Sequence, residues 1–361
     1  MESASQQTTR PGADDVAGPR FGEEDLVRTG TAVLRALGAS DETAVLVATS
    51  LVTSNLVGHD SHGIVRLLQY SDWVKSGQIR PEGQPRVVPG RGAVATVDGA
   101  WGFGQPAAQL ATRLCTELAA AHGVSVVAIT AGNHIGRLGE YVATIAGAGQ
   151  MGMAWCNAGP AVAPFGGTGR AMGTNPFAWA VPRRDGLVVL DFATSKVAEG
   201  KLKIAMAEGR SAPPGSIVDR SGQPSTDPAD FYAGGALRAF GDHKGSGMSM
   251  LIELTAGLMS HMGSSCDPGF LGGNGTLLMA LDITLFTDLE SYFEQAETFR
   301  REAKRIGGGP QQVDILFPGE AEERALEARR NGGVVVPAES RRQITVLADE
   351  LGVDIGPFGL K

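Results

Sequence analysis

Thiol pairs, membrane spans and basic patches are scarce or missing in this 361-residue chain, and each absence removes a class of function. Cysteine occurs three times, at Cys115, Cys156 and Cys266, far apart and with no CxxC pair. That excludes a disulfide framework and a zinc knuckle and leads us to expect a cytoplasmic protein. No apolar run approaches the ~20 residues a bilayer requires. The best stretch, Met248–Met262, is broken by Glu253. No segment clusters Lys and Arg with aromatics, so nucleic acid is not an expected partner. The net charge of −8 still allows a locally basic site for an anionic substrate. Neither a GxSxG nucleophile elbow nor an HExxH zinc motif is present. Residues 1–20 have no apolar core, so they read as a disordered extension rather than a signal peptide.

Glycine is what the chain has in excess. Its 51 glycines are about twice the ordinary usage of roughly 7%. They follow no collagen period and imply many tight turns and close backbone approaches. With 42% apolar and 19% charged residues the balance is globular, and the length suggests about two domains.

Helical periodicity appears over Glu23–Leu37, Asp41–Leu56 and Ile64–Ser76, with Ser40 as an N-cap and Gly77 as a C′ residue. Strands are expected at Arg86–Val88, Ala93–Val97, Val124–Thr130, Met153–Asn157, Phe177–Val181, Leu187–Asp191 and Thr276–Asp282, with another short one at Val313–Phe317. Between and after them lie helices at Pro106–His122, from Gly136 to about Ala148, and at Lys196–Glu208, Gly245–Met262, Leu289–Arg305, Glu320–Asn331 and Ser340–Leu351. Gly209–Gly235 reads as irregular. The alternation makes the class α/β.

One string, Gly147-Ala148-Gly149-Gln150-Met151-Gly152, fits the dinucleotide fingerprint GxGxxG. The fingerprint works only when a strand precedes it and a helix follows, so that phosphate meets a helix N-terminus. Here a helix precedes and a strand follows. The string therefore reads as a helix end and turn.

Histidine is scarce, at six residues, and His59, His62, His134 and His243 all sit in glycine-rich junctions. Any one alone reads as a histidine capping a helix end. In Ser61-His62-Gly63-Ile64-Val65-Arg66, a helix starting near Gly63 would put Arg66 one turn beyond His62 on the same side. Ser61 can set the imidazole tautomer, Arg66 can clamp a carboxylate, and the imidazole can give a proton to a carbonyl oxygen as hydride reaches carbon. Gly132-Asn133-His134-Ile135-Gly136-Arg137 follows a strand and opens a helix, which suits phosphate or substrate oxygen. Asp191 ends a strand, where it can hold a ribose hydroxyl or cap the next helix. Lys244, in Gly241-Asp242-His243-Lys244-Gly245, can meet a phosphate. His59, Asp60 and His62, completed by His134 or His243, could instead ligate a metal in a hydrolase.

Nine strings then occur in a fixed order: GHDSHGIVR at 58–66, NHIG at 133–136, VAPFGG at 162–167, GTNPFA at 173–178, LDFATS at 190–195, VAEGK at 197–201, DHKGSG at 242–247, GGNGT at 272–276 and FPGE at 317–320. From about Phe21 to Gly352 the chain resembles the malate/L-lactate dehydrogenases of the second type, a family that includes sulfolactate, ureidoglycolate and diketogulonate oxidoreductases and piperideine-2-carboxylate reductases. The resemblance implies a non-Rossmann mixed sheet that binds NAD or NADP, and a homodimer. It implies a helical domain from both chain ends (21–85 with 310–361), a cofactor domain (86–135 with 209–309) and a smaller inserted α/β domain (136–208).

It also implies roles for particular residues. His62 or His134 would be the acid/base, with Ser61 as relay and Arg66 on the substrate carboxylate. Thr174, Gly200 and Lys201 would touch substrate. Cofactor contacts would come from Asn133, His134, Ile135, Gly136 and Arg137, from Asp191, Phe192 and Ala193, from His243 and Lys244, and from Pro318, Gly319 and Glu320. No metal is implied. The expected reaction is reversible hydride transfer between a small 2-oxo acid and its 2-hydroxy acid. NADPH-dependent reduction of a cyclic imine is the near alternative. The chain departs from the family at Ser246, where Tyr is frequent, and at Arg137 and Leu138, where small residues are frequent.

Overall fold

A computed structural model describes residues 18–207, 209–306 and 314–359. Most of the expected N-terminal extension (1–17), Glu208 and Val313 lie outside the described residues. Two compact units result, one from residues 18–72 with 321–359 and one from 73–320.

The first unit is mainly helical. Its helices are Glu23–Ala36, Asp41–Leu56, most of Glu320–Gly332, and Ala338–Glu350, and it holds the start of Arg66–Lys75. Ser40 caps the second of these as its sequence suggests, its side chain accepting from Thr43 N at 3.2 Å. Gly30 lets the first two helices approach closely, since a Cβ there would lie 3.0 Å from that of Ala48. Arg20 and Phe21 pair antiparallel with Val335 and Val334, so Arg20 is strand rather than extension. The third helix begins at Arg66, not near Gly63, because Asp60–His62 forms a separate 3-10 turn. The unit boundaries at 72 and 321 replace the expected 85 and 310.

The second unit is built on a seven-stranded mixed sheet. Its strands in chain order are β1 (Arg86–Val88), β2 (Val94–Asp98), β3 (Val124–Thr130), β4 (Gln150–Cys156), β5 (Phe177–Arg183), β6 (Gly186–Phe192) and β7 (Thr276–Asp282). Their spatial order is β1-β2-β3-β7-β4-β5-β6, and only β2 and β3 run parallel. The helices Gly104–His122 and Leu138–Gly147 cover one face and bury Val127, Ile129, Ala154, Ala178, Leu278 and Ala280 against Ala108, Ala111, Val142 and Ile145. Alternate residues look the other way, and there Trp155 Nε1 donates to Thr255 Oγ1 at 2.9 Å.

This topology corrects the expected partition. Residues 136–208 are not a separate domain, because β4, β5 and β6 belong to the main sheet. A second, four-stranded sheet is assembled from Val162–Ala163, Ile217–Val218, Pro224–Ser225 and Ala236–Arg238. The stretch 209–235 is therefore less irregular than its sequence suggests. Asp314–Phe317 forms no strand.

The GxGxxG string has the reversed context foreseen for it. Gly147 ends a helix, Gly149 turns at φ +83, and β4 begins at Gln150. Gly152 is required for packing, since a Cβ there would lie 2.9 Å from both Ile145 Cβ and Val142 O. Gly152→Ala should therefore lower unfolding stability by about 1–3 kcal/mol and leave NADH and NADPH dissociation constants at wild-type values. Urea unfolding and cofactor fluorescence titration check the two halves. Loss of cofactor binding at unchanged stability would restore the fingerprint reading.

Candidate functional site

Strand register brings several of the predicted segments of the second unit to one end of its sheet. Thr276 at the start of β7 pairs with Ile129 in β3 and Cys156 in β4, Trp155 pairs with Phe177, and Phe177 pairs with Phe192. The ends of β3, β4 and β6 thus coincide with the starts of β5 and β7. The loops carrying Asn133–Arg137, Thr174, Asp191–Ala193 and Gly272–Gly275 issue from that end.

These loops are fastened by a buried carboxylate. Glu253 is 6% exposed and lies at the start of a short π-helical stretch, Glu253–Gly257. Its Oε1 accepts from Asn175 Nδ2 (2.8 Å), Gly173 N (3.1 Å) and Ser265 Oγ (2.5 Å), and its Oε2 from Ser265 N (2.9 Å) and Asn157 Nδ2 (3.1 Å). All five donors are neutral. Asn175 is held at φ +35, unusual for a residue with a side chain. Between Gly173 and Asn175, the Thr174 carbonyl accepts from Thr194 N (2.9 Å) and Thr194 Oγ1 (3.0 Å), and Phe240 N donates to Thr194 O (2.9 Å). The GTNP, LDFATS and GDHKG segments are therefore one connected network. Burial, with the charges of Asp191 and Glu253 nearby, pushes the Cys156 thiol up to about 12, and burial raises Cys115 to about 11. Neither is suited to act as a nucleophile.

The loop 131–137 leaves β3 and delivers the helix Leu138–Gly147, which packs beneath β4, β5 and β6. Asn133 is fully buried, and its Nδ2 donates to Gly102 O (2.9 Å), Trp101 O (3.0 Å) and Gln78 O (3.1 Å). Its amide nitrogen is thus committed to holding the loop. The His134 ring stands edge-on to Trp73 at 6.5 Å. Asp191 does not cap the helix that follows it, because its Oδ2 accepts from Gly139 N at 2.7 Å, in the first turn of Leu138–Gly147. Arg137 occupies the N-cap position of that same helix without a side-chain capping bond, and its buried Nε has no hydrogen-bond partner.

His243 and Lys244 are exposed at the start of a helix, and the exposed Phe165 ring lies 6.0 Å from that of His243. Ser246 is buried and accepts from Phe165 N at 3.0 Å, so it anchors the Phe165 loop. Gly200 and Lys201 lie in the first turn of Glu199–Ala207. At the FPGE turn, Gly319 adopts φ +98, and Pro318 O accepts from Val189 N in β6 at 3.1 Å. Glu320 is tied to Lys304 Nζ (2.6 Å), Arg300 Nη1 (2.9 Å) and Phe317 N (3.0 Å). Burial works against its charge, but these partners together hold it below the usual carboxylate range.

Such surroundings fit a nicotinamide dinucleotide. Asp191 offers a carboxylate at a strand end, Arg137 an orphaned buried donor, and Lys244 an exposed cation beside a helix start.

The His62 loop belongs to the first unit. Ser61 Oγ lies 3.1 Å from His62 Nδ1, which gives the imidazole the partner expected of it. Arg66 reaches back from the next helix, with Nε donating to Ser61 O (2.6 Å) and Nη1 to Gln69 Oε1 (2.5 Å). Arg66 thus faces the loop, although by a different local route from the continuous helix expected. Three residues not singled out from the sequence shape this loop. Asn55 donates to Asp60 Oδ1 (2.7 Å) and accepts from Ile64 N (2.8 Å). Arg329 donates to both Asp60 oxygens (2.7 and 3.0 Å), and Gln69 orients Arg66. The metal alternative meets an obstacle here, because both oxygens of Asp60 already accept from a guanidinium. Among the described residues no group of three or more His, Cys, Asp or Glu side chains could hold a metal ion.

A sequence profile described as malate/L-lactate dehydrogenase matches residues 21–345. The chain belongs to that family. The malate/(S)-sulfolactate dehydrogenase of Methanothermus fervidus is 33% identical over 329 residues, 90% of this chain and 95% of that one. Among solved structures, the sulfolactate dehydrogenase of Methanocaldococcus jannaschii superposes with a TM-score of 0.83 at 31% identity, covering 93% and 98% of the two chains. The Δ1-piperideine-2-carboxylate reductase of Pseudomonas syringae pvar. tomato gives 0.83 at 29% identity, covering 91% and 100%. The family comprises oxidoreductases of 2-hydroxy acids that use a nicotinamide cofactor. No helix among the described residues is long and apolar enough to cross a membrane.

Glu253→Gln puts an amide where five donors converge, leaving at least one buried donor without an acceptor. A stability loss of about 1–3 kcal/mol is expected, read as a lower urea midpoint. An unchanged midpoint would show that the loops do not depend on this carboxylate.

Proposed function

We propose that this protein interconverts a small 2-oxo acid and its 2-hydroxy acid, with NAD or NADP as cofactor. The single observation that carries the reading is the Ser61–His62 pair closed by Arg66, an acid and a carboxylate-binding guanidinium on one loop. Ser61 Oγ engages Nδ1 and fixes the ring, so Nε2 is the nitrogen that gives its proton to the carbonyl oxygen. Arg66, pre-oriented by Ser61 O and Gln69, binds the substrate carboxylate. In the second unit, Thr174, Gly200 and Lys201 are the substrate contacts that the family resemblance implies.

In the second unit, Asn133–Arg137, Asp191–Ala193, His243, Lys244 and Pro318–Glu320 hold the cofactor. Asn133 serves by fixing the loop, and Arg137 and Lys244 meet its anionic groups. His134 lies on this loop and supports cofactor placement. The nicotinamide, when bound, supplies or accepts the hydride.

Reduction of a cyclic imine bearing a carboxylate is a second reading, favoured by the likeness to the piperideine-2-carboxylate reductase. The Arg66 clamp would serve both substrates.

Pyruvate, oxaloacetate, sulfopyruvate and Δ1-piperideine-2-carboxylate, each assayed with NADH and with NADPH, test the assignment. At least one oxo acid should turn over. His62→Ala should lower kcat by about 10²–10⁴-fold and preserve cofactor affinity, whereas His134→Ala should weaken cofactor binding. Turnover of the imine alone would select the second reading. A live His62→Ala beside a dead, cofactor-binding His134→Ala would exchange the two roles.

We also propose that the working state is a homodimer. Met250, Leu251, Leu254, Leu258 and Met259 are exposed on one stretch of chain, Leu251 at 62% and Met259 at 58%. A contiguous apolar surface of this kind marks an interaction site. Light scattering should give twice the chain mass for the wild type. Leu254→Glu combined with Leu258→Glu should give the monomer mass, and a double variant that stays dimeric would place the interface elsewhere.

A further inference from the structure

Segment 58–64 is gripped from two sides. The Glu320–Gly332 helix presents Glu322, Ala325 and Arg329 at i, i+3 and i+7, a spacing that puts all three on one stripe. Each meets a successive residue of the loop. A Cβ at Gly58 would lie 3.5 Å from that of Ala325, which leaves room for glycine at φ +85. Glu322 Oε1 lies 3.2 Å from His59 Nε2. Arg329, only 7% exposed, donates to both oxygens of Asp60 and to the Asn55 carbonyl. From the other side, the Asn55 side chain bonds Asp60 and the Ile64 amide, and its bulk forbids any side chain at Gly63. The grip therefore holds residues 59, 60, 63 and 64. Ser61 and His62 lie between its two ends.

We propose that Arg329 is a positioning residue for the His62 proton donor, holding Asp60 so that the Ser61–His62 pair is presented in one geometry. The proposal rests on the reading that His62 gives the proton. Arg329 touches neither substrate nor cofactor in this role. It acts through Asp60, two residues before His62, by a bidentate ion pair in which the guanidinium is buried and the carboxylate half-buried. A short hydrogen-bond path of this kind matters because small displacements of a proton donor are costly; an error of about 1 Å can lower a rate by about 10²-fold.

The test uses the full chain as wild type, Arg329→Met, Asp60→Asn/Arg329→Met and His62→Ala. Arg329→Met strands a half-buried carboxylate without its guanidinium and should lower the unfolding midpoint. The double variant removes that charge and should regain most of the midpoint, which separates stability from positioning. Two readouts follow. Diethyl pyrocarbonate modification, resolved by peptide mass for each histidine, reports the His62 environment without any substrate. His62 should react several-fold faster in both Arg329 variants, with His134 and His243 at wild-type rates. With the 2-oxo acid that turns over in the panel, kcat should fall about 10–100-fold and KM for NAD(P)H should hold. The solvent deuterium isotope effect on kcat should rise as proton transfer becomes limiting.

A double variant with the wild-type His62 modification rate, or one that recovers kcat along with its midpoint, overturns the proposal. Turnover in His62→Ala removes the proton-donor reading instead, and the modification rates still decide whether Arg329 sets the loop.

Discussion

Five neutral donors converging on one buried carboxylate is the constraint on which the second unit depends. A carboxylate taken from water requires nearly all of its acceptor sites filled. Glu253 meets that requirement with donors drawn from three separate stretches of chain, at Asn157, at Gly173 and Asn175, and at Ser265. Those stretches lie beside the strand ends from which the loops at Asn133, Thr174 and Gly272 emerge. The same bonds that solvate the charge therefore fix the loops, and the π-helical turn beginning at Glu253 belongs to that arrangement. Single π-helical turns inside α-helices are rare and concentrate at functional sites.

The first unit carries the Ser61–His62 pair and Arg66 within six residues of sequence. The second carries glycine-rich loops gathered by sheet register rather than by sequence proximity. In both, the side chains expected to touch ligand are oriented by polar residues that do not. Asn55 and Asp60 do this in one unit, Asn133 and Glu253 in the other. Fixing the orienting groups in advance is how a site avoids reorganisation at the moment of reaction.

Much of this could be read in the sequence, for identifiable reasons. The seven main-sheet strands and most helices were placed to within a few residues because glycine and capping residues punctuate the chain at Ser40, Gly77 and Gly123. The mistaken inserted domain has an equally physical origin. Two-residue strands such as Ile217–Val218 and Pro224–Ser225 are too short to show a period of two, so the second sheet is invisible in the sequence and nothing local marks β4 to β6 as part of the main one. Glu253 appeared in the sequence only as an interruption of an apolar run; its meaning needed partners up to 96 residues away. Arg329 gave no signal at all, since a single arginine on a charged helix looks like a solvated face.

The stripe Glu322–Ala325–Arg329 also says which parts of the C-terminal region can vary in length. An α-helix turns about 100° per residue. Adding or deleting one residue between Glu322 and Arg329 would swing one end of the stripe off the 58–60 segment, breaking contacts to that loop without touching the loop itself. Indels excluded from a helix of ordinary surface composition would be the evolutionary imprint of that stripe.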